Sequence, residues 1–191
     1  MPLILASASP RRREICTLLG LDFTVQPAQT ELPVDASLIP EKAVEQIAKA
    51  KAEEIFFKNP AATVIGADTV VLFRHHILGK PADKPDARKM LKYLSGKKHT
   101  VITGVCILSP QKQVCFSDTA IVEFFPLTDQ EIDAYIRTGE PMDKAGAYGI
   151  QGMGARFIKR IEGDFYTVMG LPCGKLYQTL KSFSFKRESL F

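Results

Sequence analysis

Residues 3–16 read LILASASPRRREIC, and the change of pattern inside this stretch indicates the fold class. Leu3–Ala6 is a short apolar run typical of a buried strand. Ser9 followed by Pro10 is typical of the start of a helix, because serine caps helices and proline suits their first position. The apolar residues that follow recur at helical spacing until Gly20, which ends the helix. A strand therefore leads into a helix within the first 20 residues.

The same alternation continues along the chain. Strands are predicted at Phe23–Gln26, Val64–Phe73, His99–Leu108, Gln113–Phe125 and Phe157–Ile161. Helices are predicted at Pro40–Lys58, Pro85–Leu94, from a capping box at Thr128 and Glu131 to about Thr138, and at Leu171–Phe183. Two of the strands are joined by a turn at Ser109 and Pro110, so we expect them to pair as a hairpin. Alternating strands and helices with a central hairpin predict an α/β or α+β domain on a mixed sheet.

Composition narrows the class of protein. The 191 residues suit one domain, with room for a division into two lobes, and the hydrophobic and charged fractions of 46% and 24% are ordinary for globular proteins. The net charge of +4 falls short of an extended basic tract but fits a small polyanionic ligand. The four cysteines lack metal-site spacing, so we expect reduced thiols in a cytoplasmic protein without a signal peptide or membrane span.

Asp68 interrupts the apolar strand VIGADTVVLF at residues 64–73. A carboxylate in such a strand is costly unless it is paired, hydrogen-bonded or bound to a metal. It is either a structural aspartate bonded to loop backbone, or a metal ligand or general base facing a cleft.

Lys51 interrupts the apolar face of the predicted Pro40–Lys58 helix. At 3.6 residues per turn, its side chain falls within the stripe formed by Val44, Ile47 and Ile55. It either extends to solvent from the helix or reaches a buried anion, which would be a carboxylate or a ligand phosphate.

Two further segments offer groups that bind anions. Arg11–Arg13 crowd the start of the first helix, where backbone N–H groups already favour an anion, so they form either a solvated basic turn or a phosphate-binding turn. The stretch DKAGAYGIQGMGA at residues 143–155 has neither the dinucleotide-binding nor the P-loop spacing. It is either a plain connection or a loop that presents backbone amides to an anion.

These segments, in this order, resemble the Maf family of nucleotide pyrophosphatases. The resemblance runs through LILASASPRRREI, IGADTVV, GKP, LSGKKHTVITGV, EPMDKAGAYGIQGMGARFI and IEGDFYTVMGLP. It covers residues 1–183 as one domain, and we expect residues 184–191 to be a C-terminal tail. The family implies an elongated mixed sheet with flanking helices, two lobes around a central cleft, an ITPase-like fold and a homodimer. It also implies hydrolysis of a nucleoside triphosphate to the monophosphate and pyrophosphate, and a link to cell-division arrest.

The resemblance also implies which residues perform the chemistry. Asp68 matches the acceptor of the proton from the attacking water and a contact to the metal, which is Mg²⁺ or Mn²⁺. Glu31 matches a metal ligand, and Lys51 and Lys80 match catalytic cations that bind phosphates. One departure affects the metal site: the family usually has two consecutive acidic residues around Glu31, whereas this chain has Thr30, Glu31 and Leu32.

Other matched positions concern the phosphates and the base. Ser7, Arg11 and Arg12 belong to the phosphate-binding turn. Arg11, Thr69 and Gln151 match positions that set base specificity, and the GIQG form is similar to the subgroup that acts on dTTP and UTP. Modified pyrimidine triphosphates would also be compatible with these base-specificity positions.

Two other classes of function compete with this enzyme. One is a non-catalytic, nucleotide-binding regulator of septum formation, although a pure binder of polyanions gains nothing from a carboxylate at Asp68. The other is an RNA-binding module, but the chain has no tryptophan and no evident aromatic stacking platform. We therefore expect a nucleotide substrate and neither a stable nucleic-acid partner nor a membrane.

Overall fold

Seven strands form one mixed sheet in the computed structural model of the chain, which describes residues 1–183. The strands are β1 Leu3–Leu5, β2 Thr24–Val25, β3 Thr63–Phe73, β4 His76–Leu78, β5 Lys98–Leu108, β6 Gln113–Phe124 and β7 Ile158–Gly163. Their order is β2-β1-β3-β5-β6-β7, with β4 paired to β3. Strand β1 is parallel to β2 and β3, whereas β3–β4 and β6–β7 are antiparallel pairs. The prediction of an α/β fold on a mixed sheet is confirmed.

Six helices flank these strands in the described chain. They are α1 Pro10–Leu18, α2 Pro40–Lys58, α3 Lys84–Leu94, α4 Asp129–Arg137, α5 Phe165–Met169 and α6 Cys173–Leu180. Residues 140–157, called the glycine-rich stretch from here on, form three 3₁₀ helices, at Glu140–Asp143, Ala145–Ala147 and Gly152–Phe157. The last predicted helix is shorter than expected, and neither α5 nor the three-residue strand β4 was predicted from the sequence.

The two helix starts that the sequence singled out differ in their capping. Thr128 accepts a hydrogen bond from the Glu131 amide, and the Glu131 side chain accepts one from the Thr128 amide, so the capping box is confirmed. Ser9 occupies the N-cap of α1 but makes no side-chain cap. Its amide instead donates to Ser7 Oγ at 3.2 Å, so Ser7 supports the turn that Ser9 was expected to cap.

The chain divides into two units, and each has its own core. The first unit comprises residues 1–68, 103–118 and 170–183. Its core includes Ile4, Ala48, Ala52, Ile55 and Val64 from β1, α2 and β3.

Two glycines let the backbone of α2 approach the strands in the first unit. A Cβ atom on Gly66 of β3 would lie 2.2 Å from the carbonyl oxygen of Ala48. A Cβ atom on Gly104 of β5 would lie 2.5 Å from the carbonyl oxygen of Val44. Neither position can hold a larger side chain without movement of backbone. This close approach brings the middle of α2, which includes Lys51, next to β3.

The second unit comprises residues 69–102 and 119–169. Its core is built from aliphatic side chains of β3, α3 and α4 together with a group of aromatic rings. The rings of Phe124 and Tyr148 pack edge to face at 4.7 Å, and those of Tyr135 and Phe157 at 5.0 Å. Such edge-to-face contacts orient the rings as well as bury them.

Three expectations concern features outside the candidate site. The expectation of four reduced thiols is wrong for one pair, because Cys106 on β5 and Cys115 on β6 form a disulfide, while Cys16 and Cys173 are free. Within residues 1–183, none of the helices has the length and apolar content that crossing a membrane requires. The expected tail at residues 184–191 lies outside the described residues, and the central cleft stays a prediction.

Candidate active site

The two residues that interrupted apolar patterns, Lys51 and Asp68, contact each other. Lys51 Nζ lies 2.5 Å from Asp68 Oδ1, and the two side chains are 19% and 21% exposed. Lys51 therefore does not simply extend to solvent, and the carboxylate of Asp68 is paired. The fold explains the contact, since Gly66 brings β3 against the turns of α2 on either side of Lys51. A carboxylate held this way keeps a second oxygen for another partner.

Arg12 joins Ser7 to Gly170, the first residue of the last chain segment in the first unit. Its Nε donates to the Gly170 carbonyl at 2.7 Å, and its Nη1 donates to Ser7 Oγ at 3.2 Å. Burial lowers the pKa of the Arg12 guanidinium, while the nearby Asp68 carboxylate raises it and Arg11 lowers it. Arg12 stays charged at neutral pH because the ordinary pKa of arginine lies far above neutrality. The structure thus places the cation of Arg12 in the electrostatic surroundings of Asp68.

Glu31 lies on the exposed loop after β2, and a glutamate of α2 anchors that loop. Glu54 Oε2 accepts hydrogen bonds from the amides of Gln29 and Thr30 and from the Thr30 hydroxyl, each at 2.8 Å. Its other oxygen, Oε1, pairs with Lys58 at 2.8 Å. The Lys58 and Thr30 hydrogen bonds lower the pKa of Glu54 to about 2. Thr30, one of the two non-acidic neighbours of Glu31, thus donates to a carboxylate of α2.

The two carboxylates predicted to bind the metal, Asp68 and Glu31, are ligands of the kind that a hard divalent cation prefers. Within residues 1–183, no cluster of three or more His, Cys, Asp or Glu side chains is placed to hold a metal ion. Magnesium often keeps several waters and is held by one or two carboxylates together with substrate phosphates. The carboxylate oxygens of Asp68 and Glu31 fit that kind of site, and their chemistry does not fit a soft metal.

The other predicted site residues belong to the second unit. Thr69 is half-buried on β3, Lys80 is exposed after β4, and Gln151 is half-buried in the glycine-rich stretch. The amide of Gly146 donates to the carbonyl of Gly79 at 3.0 Å, which ties that stretch to the segment that carries Lys80.

Two residues that hold the glycine-rich stretch in place, Glu140 and Tyr135, were not predicted from the sequence. Glu140 accepts hydrogen bonds from the amides of Met153 and Gly154, at 2.9 and 3.2 Å. The Tyr135 hydroxyl donates to Glu140 at 2.9 Å and accepts from the amide of Gly149 at 3.2 Å. Tyr135 lies on the apolar face of α4 and so resembles an ordinary core residue. Only the density of glycines after Glu140 signalled that this backbone needs a partner.

Comparison with known proteins places the whole described chain in one family. The family model described as Maf-like protein matches residues 2–183. A dTTP/UTP pyrophosphatase of Aquifex aeolicus (strain VF5) is 50% identical over 184 residues, which cover 95% of each chain. A dTTP/UTP pyrophosphatase of Bacillus velezensis is 48% identical over 184 residues, which cover 96% of this chain and 97% of the relative. The solved structure of the Staphylococcus aureus Ham1 protein matches with a TM-score of 0.46 and 15% identity, over 83% of this chain and 80% of that one.

The family model and the two relatives agree over nearly the full length, and the motifs that carried the resemblance lie inside the matched region. The chain belongs to the Maf family.

Proposed function

We propose that this chain hydrolyses dTTP and UTP to the monophosphate and pyrophosphate, with the help of Mg²⁺ or Mn²⁺. The coarser statement rests on family membership: the chain is an enzyme, a hydrolase of nucleoside triphosphates. The choice of dTTP and UTP is supported by the names of relatives about half identical to it. The observation that carries the chemistry is the Lys51–Asp68 pair, which holds a carboxylate in an otherwise apolar strand.

Asp68 is the proposed proton acceptor. Water attacks the α-phosphorus, its proton passes to the Asp68 carboxylate, and the bond from the α-phosphorus to the bridging oxygen breaks as pyrophosphate leaves. Lys51 positions Asp68 through the 2.5 Å contact. It also supplies positive charge where charge develops on the phosphoryl group, and Lys80 does the same. When bound, the divalent cation would offset phosphate charge and support the leaving pyrophosphate, with Asp68 and Glu31 as its protein ligands.

The turn at the start of α1 is the proposed phosphate-binding site. Ser7 offers a hydroxyl, and Arg11 and Arg12 offer charged N–H donors of the kind that bind phosphate oxygens. Two donors of Arg12 already hold Ser7 and Gly170, so this guanidinium is preorganised. A preorganised donor loses less side-chain entropy when the phosphate binds.

Base selectivity is assigned to Gln151, with Arg11 and Thr69. An amide side chain has both a donor and an acceptor, which suits the O4 acceptor and N3–H donor of uracil and thymine. Modified pyrimidines that keep this edge would also be accepted.

The test is pyrophosphate release from a panel of dTTP, UTP, dCTP, ATP and GTP, with Mg²⁺ or Mn²⁺ and with EDTA. We expect release from dTTP and UTP that depends on the cation. Asp68→Asn should lower kcat by about 10²–10⁴-fold, the usual contribution of general acid–base catalysis, with nucleotide affinity largely retained. Asp22→Asn, an exposed aspartate of the same unit, is the matched control and should retain full activity.

Three results would contradict the proposal. Unchanged turnover in Asp68→Asn removes the assigned proton acceptor, and equal rates across the panel remove pyrimidine selectivity. Nucleotide binding by the unaltered chain without pyrophosphate release supports the non-catalytic regulator instead. A homodimer and a link to cell-division arrest stay predictions, and light scattering tests the first of them.

A further inference from the structure

We propose that Tyr135 and Glu140 are positioning residues that set the place of Gln151 and thereby the base selectivity of the enzyme. The inference rests on the proposed role of Gln151 as the reader of the base. Tyr135 and Glu140 are called the Tyr135–Glu140 pair below, and residues 149–154 the Gln151 loop. Neither residue needs to touch the nucleotide in this role.

The pair binds the Gln151 loop on both sides of Gln151. Two residues before it, the amide of Gly149 donates to the Tyr135 hydroxyl at 3.2 Å. Two residues after it, the amide of Met153 donates to Glu140 Oε2 at 2.9 Å, and the next amide, of Gly154, donates to Oε1 at 3.2 Å. Gln151 therefore occupies the middle of a short span whose two ends are held by one hydrogen-bonded pair.

The pair itself is well anchored. The Tyr135 side chain is fully buried, at 0% exposure, and its ring packs edge to face on Phe157 at 5.0 Å. Its hydroxyl donates to Glu140 Oε1 at 2.9 Å, which fixes the direction of the proton and leaves the oxygen to accept from Gly149. Glu140 directly follows Gly139, whose φ of 77° turns the chain after the end of α4. Hydrogen bonds to an ionised acceptor are about twice as strong as neutral ones, so the glutamate is the stronger of the two anchors.

The glycines of the loop are required by its contact with the pair. A Cβ atom on Gly154 would lie 2.5 Å from the carbonyl oxygen of Gly149 and 2.7 Å from the Tyr135 hydroxyl. Gly152 has a φ of 79°, and a Cβ atom on it would lie 2.8 Å from Glu140 Oε2. The two ends of the loop thus approach each other and the pair more closely than side chains permit. This explains the glycine spacing around Gln151, which matches no known phosphate loop.

The charges of the pair favour the same arrangement over a wide pH range. Burial alone would raise the pKa of Glu140, but hydrogen bonds from Met153, Tyr135 and Gly154 outweigh it, so the pKa is lowered. Burial, followed by the bond to Glu140, raises the pKa of Tyr135. Glu140 therefore remains an acceptor and Tyr135 a donor under ordinary assay conditions.

The expected consequence is a change in selectivity rather than a uniform loss of rate. The Tyr135–Glu140 pair contacts the backbone that carries Gln151, whereas Lys51 and Asp68 belong to the other unit. Hydrogen-bond discrimination between bases depends on donors and acceptors held in place, because a mobile amide can adapt to the wrong base. A loosened loop should therefore reduce the difference in kcat/KM between dTTP and dCTP.

The experiment measures the ratio of kcat/KM for dTTP to that for dCTP. This ratio is independent of the fraction of active enzyme, so a variant that is merely less stable does not change it. We expect Tyr135→Phe and Glu140→Gln each to lower the ratio by roughly ten-fold, a part of the discrimination of about 10⁴–10⁵-fold that a well-placed hydrogen-bonding site can reach. Tyr148→Phe is the matched control, because it removes another buried hydroxyl of the same unit, one that lies 2.8 Å from His99 Nε2. It should leave the ratio unchanged.

A second measurement detects the positioning without any substrate. Amide hydrogen exchange of Gly149, Met153 and Gly154 should accelerate in Tyr135→Phe and Glu140→Gln, because their acceptors are lost or weakened. The same amides should exchange at the original rates in Tyr148→Phe. This readout remains informative if one of the two variants folds poorly, since the other reports on the same pair.

The Gln151→Ala variant separates failure of this inference from failure of the proposed function. If Gln151→Ala leaves the dTTP-to-dCTP ratio unchanged, Gln151 is not the reader and the proposed specificity fails. If Gln151→Ala lowers the ratio while Tyr135→Phe and Glu140→Gln do not, the positioning role is refuted and the proposed function stands. An equal fall of the ratio in Tyr148→Phe and Tyr135→Phe also refutes it, because any buried hydroxyl would then have the same effect.

Discussion

Gly66→Ala tests the reasoning that joins the fold to the candidate active site. Gly66 lies on β3 two residues before Asp68, and it faces the backbone of α2. A Cβ atom there would lie 2.2 Å from the Ala48 carbonyl oxygen and 2.8 Å from the Ala52 amide nitrogen, whereas ordinary contact begins at 3.4 Å. Both obstacles are backbone atoms, so no side chain can rotate away to make room.

The size of the effect follows from those distances. Relief of the clash requires α2 and β3 to separate by about 1 Å, and overpacking of this kind costs about 1–3 kcal/mol. For a chain of this length each kcal/mol lowers Tm by about 2–4 °C, so a fall of roughly 2–12 °C is expected. Lys51 moves with α2, so its 2.5 Å contact with Asp68 lengthens as well. A misplacement of about 1 Å at a catalytic group can lower the rate by roughly 100-fold.

Thermal unfolding and pyrophosphate release measure the two consequences. The matched control is Gly174→Ala in α6, where an added Cβ meets no heavy atom within 4 Å. That substitution should leave activity unchanged and keep or slightly raise Tm, because alanine restricts the unfolded chain. If Gly66→Ala matches the unaltered protein in both Tm and kcat/KM, the close contact of Gly66 with α2 does not support the candidate active site. A fall in Tm with full activity would refute only the link from this contact to the Lys51–Asp68 pair.

Two further predictions concern the buried side chain of His99 and the loop that carries Glu31. Burial lowers the pKa of His99 from 6.5 to about 4, so between these values the unfolded state binds a proton that the folded state does not. The free energy of unfolding should therefore fall by up to about 3 kcal/mol as pH decreases through this window, and urea unfolding of His99→Gln should show a flatter pH dependence. Glu54→Ala removes the acceptor of the Gln29 and Thr30 amides, so the Mg²⁺ concentration for half-maximal pyrophosphate release should rise, with the rate at saturating Mg²⁺ nearly retained. An unchanged Mg²⁺ requirement would show that this anchor does not position Glu31.

Local sequence determined the elements whose signals are complete within a few residues. Helix α2 begins at Pro40 and ends at Lys58 as predicted, because proline at its first position and a long apolar stripe act within the helix itself. The capping box of α4 is local for the same reason. Strand β4 is only three residues long and follows an exposed turn, so its own sequence contains too little apolar pattern to reveal it.

Sequence also located Lys51 and Asp68, because a charge inside an apolar pattern is visible without a structure. It could not decide their partners. Whether Lys51 reaches solvent, a phosphate or a carboxylate depends on the distance between α2 and β3, which Gly66 determines through a contact between distant parts of the chain. The Cys106–Cys115 disulfide was missed for a related reason. The hairpin was predicted, but the contact between the two cysteines depends on the register of its strands, which was not predicted.

The Tyr135–Glu140 pair shows most clearly what only the tertiary structure decided. In the sequence, Tyr135 is one more apolar residue on an amphipathic helix, and Glu140 is one more acid after a turn. Gln151 was identifiable from its motif, but Tyr135 precedes it by 16 residues along the chain. The hydrogen bonds from Gly149 to Tyr135 and from Gly154 to Glu140 each span 14 residues. Hydrogen bonds between segments so far apart leave no periodic signal, because they depend on where the folded helix and loop meet. The sequence alone thus indicated which side chains are candidates for the chemistry, whereas the folded chain determined which residues contact them or the backbone that carries them.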